Sequence, residues 1–168
     1  MKRLMKSLLT VLIVLTAFEL TLVIVFRRGN EETMRQIARW NRRFLNPAML
    51  KMAGRPNWYA SSIHHLGRTT GNAHETPVWA HEVPGGFLVP LPYGTAVDWL
   101  RNLEAAGAGS MIHKGSVFRL INPTVIDRRT AFAQLGRRER VRYRIFGVNN
   151  FARVEVGEAK TDVLGKTG

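Results

Sequence analysis

Residues 64–78 read HHLGRTTGNAHETPV. The segments before and after Gly67-Arg68-Thr69-Thr70-Gly71 alternate as strands do, so the five residues form a turn between them. A turn of this composition reads two ways. It is a plain chain reversal, or it is an anion cradle. Glycines free backbone N–H groups, and Arg68, Thr69 and Thr70 add a guanidinium and two hydroxyls.

The pattern on both sides of this turn sets the fold class. From Asn57 onward the chain reads as short strands separated by turns. Trp58–His65 and Glu75–Val83 alternate, Pro84-Gly85-Gly86 marks a hairpin, and Phe87–Leu91 is a short apolar run. TAVDWLRNLEAAG (95–107) places Val97, Leu100 and Leu103 at helical spacing and stops at Gly107. A second hairpin turns at Lys114-Gly115. Asp127–Leu135 reads as helix, RRERVRYRIF (137–146) fits strand and helix alike, and NFARVEV (150–156) reads as a last strand. Closely spaced strands with a helix inserted predict an α+β chain built on a small β-barrel with flanking helices.

The N-terminal third is of another kind. LLTVLIVLTAFELTLVIVF (8–26) would span roughly 28 Å as a helix, against a bilayer core of about 30 Å. No small-x-small cleavage site follows, so it reads as an uncleaved single-pass anchor. Lys2, Arg3 and Lys6 precede it. Arg27, Arg28, Arg35, Arg39, Arg42 and Arg43 follow, and this bias places the globular part in the cytoplasm, at the cell membrane. Glu19 lies near the middle of the span, where a carboxylate costs about 3 kcal/mol on insertion scales. It is either a tolerated single carboxyl or a docking residue for another membrane protein.

Residues 31–45 (EETMRQIARWNRRFL) predict an amphipathic helix. Met34, Ile37, Ala38, Trp40, Asn41, Phe44 and Leu45 share one arc, and the arginines share the other. Directly after a span, such a helix lies along the anionic inner leaflet or packs on its own domain. Asn46-Pro47 breaks or bends it, and the segment runs on to a stop at Gly54. The domain boundaries follow: an anchor at 1–28, a basic juxtamembrane helix at 29–54, a barrel at 55–157, and a loose polar tail at 158–168.

Charge and residue types narrow the chemistry. The chain has 168 residues, 25 Lys+Arg, 12 Asp+Glu and a net charge of +13, which calls for an anionic partner. It has no cysteine, which removes disulfides and thiolate metal sites. His64, His65, His74, His81 and His113 lack paired helical ligand spacing, so no metal is expected. There is no G-x-S-x-G elbow and no P-loop. Membrane proximity accounts for the basic residues without nucleic acid. What remains is two anion-friendly loops: the 67–71 turn, and Tyr93-Gly94 ahead of a helix N-terminus. Together they describe a site for a flat phosphorylated cofactor.

Three stretches carry a resemblance: RRFLNPAMLKMAGRP (42–56), HHLGRTTGNAHETPV (64–78) and GGFLVPLPYGTAVDWLRNLEAAG (85–107). In order they give Asn-Pro, Gly-Arg-x-x-Gly, Thr-Pro-Val and Trp-x-x-Asn-Leu. This set resembles the deazaflavin-dependent nitroreductase family, over roughly residues 42–125. The resemblance implies a flavin-type split β-barrel. It implies the 8-hydroxy-5-deazaflavin coenzyme F-420, an anionic phosphodiester, with flavin mononucleotide the lesser candidate. Arg68, Thr69, Thr70 and Gly71 would hold the charged arm, while Trp99 and Asn102 would shape the pocket with Tyr93 and Gly94. The implied reaction passes a hydride to a hydrophobic acceptor: a quinone, a nitro compound or an unsaturated lipid. Tyr93 could bond a substrate oxygen, or it is a loop aromatic packed on the barrel.

The departures point another way. The family turn usually carries a second base and a serine, where Thr69 and Thr70 stand here. His74 replaces a frequent arginine, and Pro92 falls in a loop where a base is common. The alternative reading is therefore a non-catalytic accessory subunit of a membrane complex, with no cofactor bound and with Glu19 docking other subunits.

Overall fold

The computed structural model describes residues 2–157; the tail at 158–168 lies outside them. A long helix, α1 (Lys2–Arg28), opens the chain. It is long and apolar enough to cross a membrane, with mean hydropathy 2.6 over Leu9–Arg28. After Gly29, α2 (Glu31–Trp40) begins at Asn30, whose side chain accepts from the Thr33 N–H at 2.8 Å. The helix then widens into a π-helical turn (Asn41–Leu45) before α3 (Asn46–Leu50). Proline explains the widening. Pro47 has no N–H and its ring crowds the preceding turn, so the bend predicted at Asn46-Pro47 is absorbed as a π turn, with the Asn46 N–H reaching back to the Asn41 carbonyl.

Among the described residues seven strands follow: β1 (Ser61–Leu66), β2 (Ala73–Val78), β3 (His81–Val83), β4 (Gly86–Pro90), β5 (Ala108–His113), β6 (Ser116–Asp127) and β7 (Asn150–Val156). Helix α4 (Asp98–Ala106) lies between β4 and β5, and α5 (Arg128–Gln134) and α6 (Arg137–Ile145) lie between β6 and β7. All pairs are antiparallel, in the order β2-β1-β5-β6-β7-β4-β3. β2 and β3 stand at opposite ends of that order, yet only Trp79 and Ala80 separate them. Three Cα steps reach at most about 11 Å. The two edges must therefore come together, and the sheet curls into a half-barrel.

This closure overturns one strand assignment. Glu75–Val83 reads as one alternating strand, but the chain leaves one edge at Val78 and joins the other at His81. The first strand begins at Ser61, not Trp58, and the α4 helix begins at Asp98, not Thr95. RRERVRYRIF resolves as helix, with Tyr143 turned inward.

Both faces of β4 are buried, which is why its sequence is continuously apolar. Phe87 and Val89 join Trp99, Leu100 and Leu103 of α4 inside the barrel. Leu88, on the other face, joins Ala131, Leu135 and Tyr143 under α5 and α6. The Lys114-Gly115 turn has φ of 49° and 85°, the two consecutive positive values of a tight hairpin.

Where β4 meets β7 the fit has no slack. A Cβ on Gly86 would run into the Val154 carbonyl oxygen and lie 2.9 Å from the Glu155 Cα, both backbone atoms. Gly86→Ala should destabilise the barrel by about 2 kcal/mol or more, the range for overpacking a sheet contact. The check is the melting temperature of the detergent-solubilised chain, and an unchanged value would contradict this packing.

Candidate functional site

The 67–72 turn joins β1 to β2 and closes on itself. The Gly67 N–H donates to the Asn72 carbonyl at 2.8 Å, and the Gly71 N–H donates to the Gly67 carbonyl at 2.7 Å. Thr70 Oγ1 accepts from the Asn72 N–H at 3.3 Å. Gly71 takes φ of 69°, where glycine carries no Cβ penalty, and the space beside it is open. Thr69 and Thr70 are exposed.

Arg68 is held from the neighbouring helix. Its backbone N–H and its Nη1 both donate to Asn102 Oδ1, at 3.2 and 3.0 Å. Nη1 also donates to Asp98 Oδ1 at 3.2 Å. Asp98 and Asn102 are four apart on α4 and so share a face. The other Asp98 oxygen accepts from Arg42 Nη1 at 2.8 Å, which ties in the π turn. Among the described residues both side-chain bonds of Arg68 use Nη1. A guanidinium carries five donors, so Nε–H and the Nη2 pair stay available on a group whose position is fixed. Two guanidiniums on one carboxylate leave a local charge of +1.

Asn102 is 4% exposed and stands at the centre of this cluster. Its Nδ2 donates to His65 Nδ1 at 2.9 Å, and His65 Nε2 meets Thr76 Oγ1 at 3.1 Å. This arrangement needs a neutral imidazole that accepts at Nδ1. Burial pushes the His65 pKa down to about 4, with His74 and His64 lowering it further and Asp98 opposing them. The His74 ring stacks on His65 at 5.7 Å.

The structure thus brings Arg68, Thr69, Thr70, Gly71 and Asn102 together, and it adds three residues that the motifs do not reveal: Asp98, Arg42 and His65. The one signal that could find Asp98 is its place one turn before Asn102 on the same helix. Trp99 is 8% exposed and packs in the barrel core, so it supports α4 from beneath. Tyr93 is half-buried. Its hydroxyl bonds the Asn41 side chain, its ring lies 5.8 Å from Phe26, and burial raises its pKa. Gly94 takes φ of 86° beside open space. Glu19 is exposed on α1 and is not part of this cluster.

A cavity of about 470 Å³ opens near the start of β1, lined by Tyr59, Trp79, His81, His113 and Arg142 among others. Five residues of strand, about 17 Å, separate Ser61 from the turn that follows Leu66. Here Ser61 Oγ meets His113 Nδ1 at 2.6 Å, and His113 Nε2 meets Glu82 Oε1 at 2.9 Å. The order imitates a serine–histidine–acid triad, but the geometry is inverted. Ser61 is 0% exposed and the Glu82 carboxylate is the open end, bonded to Lys114 Nζ at 2.8 Å. A nucleophile sealed in the core cannot meet a substrate, so this chain of bonds ties strand ends. Burial lowers the pKa of both His81 and His113, and Arg142 lies 4.3 Å over the Trp79 ring. Among the described residues, no group of three His, Asp or Glu is placed to hold a metal.

No family model matches the chain, and no curated protein does. One solved structure, described as "Structure of F420-H2 Dependent Reductase (FDR-A)", is similar at 13% identity and a TM-score of 0.35, over 56% of this chain and 93% of that one. Another, described as a domain-swapped dimer, is similar at 13% identity and a TM-score of 0.37, over 72% and 98%. Likenesses of this size carry no argument about what the chain does.

The His65 contacts set a pH dependence. The folded chain keeps His65 neutral down to about pH 4, whereas the unfolded chain takes up its proton near 6.5. Between those values the unfolded state binds more protons, so stability rises with pH there and is lost on acidification. Lowering the pH from about 7 to about 5 should cost on the order of 2 kcal/mol through this residue. Thermal melts of wild type and His65→Gln at both pH values check it. The variant should lose less on acidification, and equal losses would contradict the assignment.

Proposed function

We propose that the chain is a membrane-anchored oxidoreductase that uses a reduced deazaflavin coenzyme. The observation that carries this reading is the state of Arg68, a guanidinium fixed by Asn102 and Asp98 with donors to spare, beside two hydroxyls and a glycine, Gly71, that borders open space. The donor set suits a phosphodiester. Arg68, Thr69 and Thr70 would hold the charged arm of coenzyme F-420, Gly71 would leave room for it beside the turn, and Gly94 would let it pass close to the backbone. When bound, the coenzyme supplies a hydride. The protein's own part is to hold and orient. Asn102 and Trp99 act as positioning residues, one through Arg68 and the other through the seat of α4. The hydrophobic acceptor implied by the resemblance, a quinone, nitro compound or unsaturated lipid, suits a site tied through Tyr93 to an apolar helix.

A second reading has one observation in its favour. Asp98 takes up part of the charge of both Arg42 and Arg68, which weakens the turn as a site for a polyanion. On that reading the chain is an accessory subunit without cofactor, and the exposed Glu19 of α1 docks it to other membrane subunits.

Fluorescence titration of the purified full chain with oxidised and reduced deazaflavin coenzyme separates the two. Arg68→Ala should weaken binding at least about tenfold, or about 1.4 kcal/mol. Unchanged affinity with an unchanged melting temperature makes the turn purely structural. No binding by the wild type favours the accessory subunit.

A further inference from the structure

Helix α6 has a composition that neither the barrel nor the cofactor reading explains. Residues 137–146 hold five arginines against Glu139, a net of +4. Only Tyr143 is buried, and it anchors the helix to the barrel. On the opposite side Val141 and Ile145, four apart, are exposed at 46% and 47%. Arg137, Arg138 and Arg144 flank them and are also exposed. An apolar stripe bordered by arginines is the pattern of a helix that lies at a lipid surface.

The position of α6 gives the pattern its meaning. Phe146, at its C-terminal end, packs edge-on against Phe26 of α1 at 6.1 Å. The next residue, Gly147, backs onto Arg27, where a Cβ would meet the Arg27 Cγ at 3.1 Å. The other basic helix reaches the same point, because Asn41 bonds Tyr93 and Tyr93 packs on Phe26 at 5.8 Å. Two segments far apart in sequence thus converge where the apolar helix ends.

The π turn decides what the second segment offers. Met34 is buried and Ile37 and Asn41 are half-buried against the domain, whereas Trp40, Phe44 and Leu45 are exposed. Trp40 and Phe44 lie 5.6 Å apart, with the Arg43 guanidinium 5.8 Å above the Phe44 ring. Charge is less abundant here. Residues 31–45 carry four arginines against Glu31 and Glu32, a net of +2. Arg35 and Arg39 pair with those carboxylates, and Arg42 pairs with Asp98. The electrostatic weight therefore falls on α6 and the aromatic weight on residues 40–45.

We infer that α6 and residues 40–45 form one docking face for an anionic lipid surface, around the exit of α1, with Val141 and Ile145 entering the headgroup layer. The inference rests on the reading that α1 spans the membrane. It adds that the barrel lies on the bilayer and does not hang from a tether.

The test is hydrogen exchange on the full chain in nanodiscs of phosphatidylcholine, without or with phosphatidylglycerol. Amides of 137–146 should exchange severalfold more slowly in the anionic discs, and added salt should remove the difference. Val141→Glu with Ile145→Glu should abolish it at an unchanged melting temperature. Equal exchange in the two lipids overturns the proposal. So does protection that appears only when an RNA oligonucleotide is added. Peptides from 9–26 report on the span separately. Their protection in both lipids keeps the anchor reading even if α6 fails, and their exposure removes the anchor itself.

Discussion

One buried carboxamide joins the parts of this domain. Asn102 accepts twice from Arg68 and donates to His65, so its side chain ties a strand, a turn and a helix. A buried amide costs a few kcal/mol unless it is bonded, and its partners would be stranded without it. The cost and the bonding together fix one geometry. The 67–72 turn cannot swing away from α4 without breaking three bonds inside the protein. Arg68 is therefore placed before any ligand arrives, and a fixed donor loses less entropy on binding than a free one.

The helix that carries Asn102 is held from two sides. Beneath it, Trp99, Leu100 and Leu103 fill the barrel. Ahead of it, the Tyr93-Gly94 loop is held by Asn41 and Phe26, and Arg42 reaches Asp98. The apolar N-terminal helix, the π turn and the Arg68 cluster are thus joined by direct contacts. Closure of the sheet imposes the frame for all this, since the two-residue link at Trp79-Ala80 permits no open sheet.

Much of this was legible from residue types. The apolar stretch, the glycine-marked hairpins, the α4 spacing and the turn at 67–71 follow from period and turn chemistry. Three features were not. Strand alternation continues through Trp79, so nothing local marks the jump between sheet edges; only the pairing of distant strands imposes it. RRERVRYRIF alternates and also fits a helix, and Tyr143 finding a place under the barrel decides between them. The outward turn of Phe44 and Leu45 comes with a π turn set by Pro47, which a uniform helical wheel cannot represent, whereas Trp40, in the regular helix before it, lies at the edge of the apolar arc. At the site, Arg68 was evident as the one base in the turn, but its engagement by Asp98 needed the register of α4 against β1.

On the proposed function, Asn102 acts on ligand through Arg68. A double-mutant cycle on deazaflavin affinity measures it directly, with wild type, Arg68→Ala, Asn102→Ala and the double variant titrated in the same detergent. Strong non-additivity is expected: once Arg68 is gone, removing Asn102 should change affinity little, for a coupling of about 1 kcal/mol or more. Losses that simply add, within about 0.5 kcal/mol, would show two independent residues and contradict it.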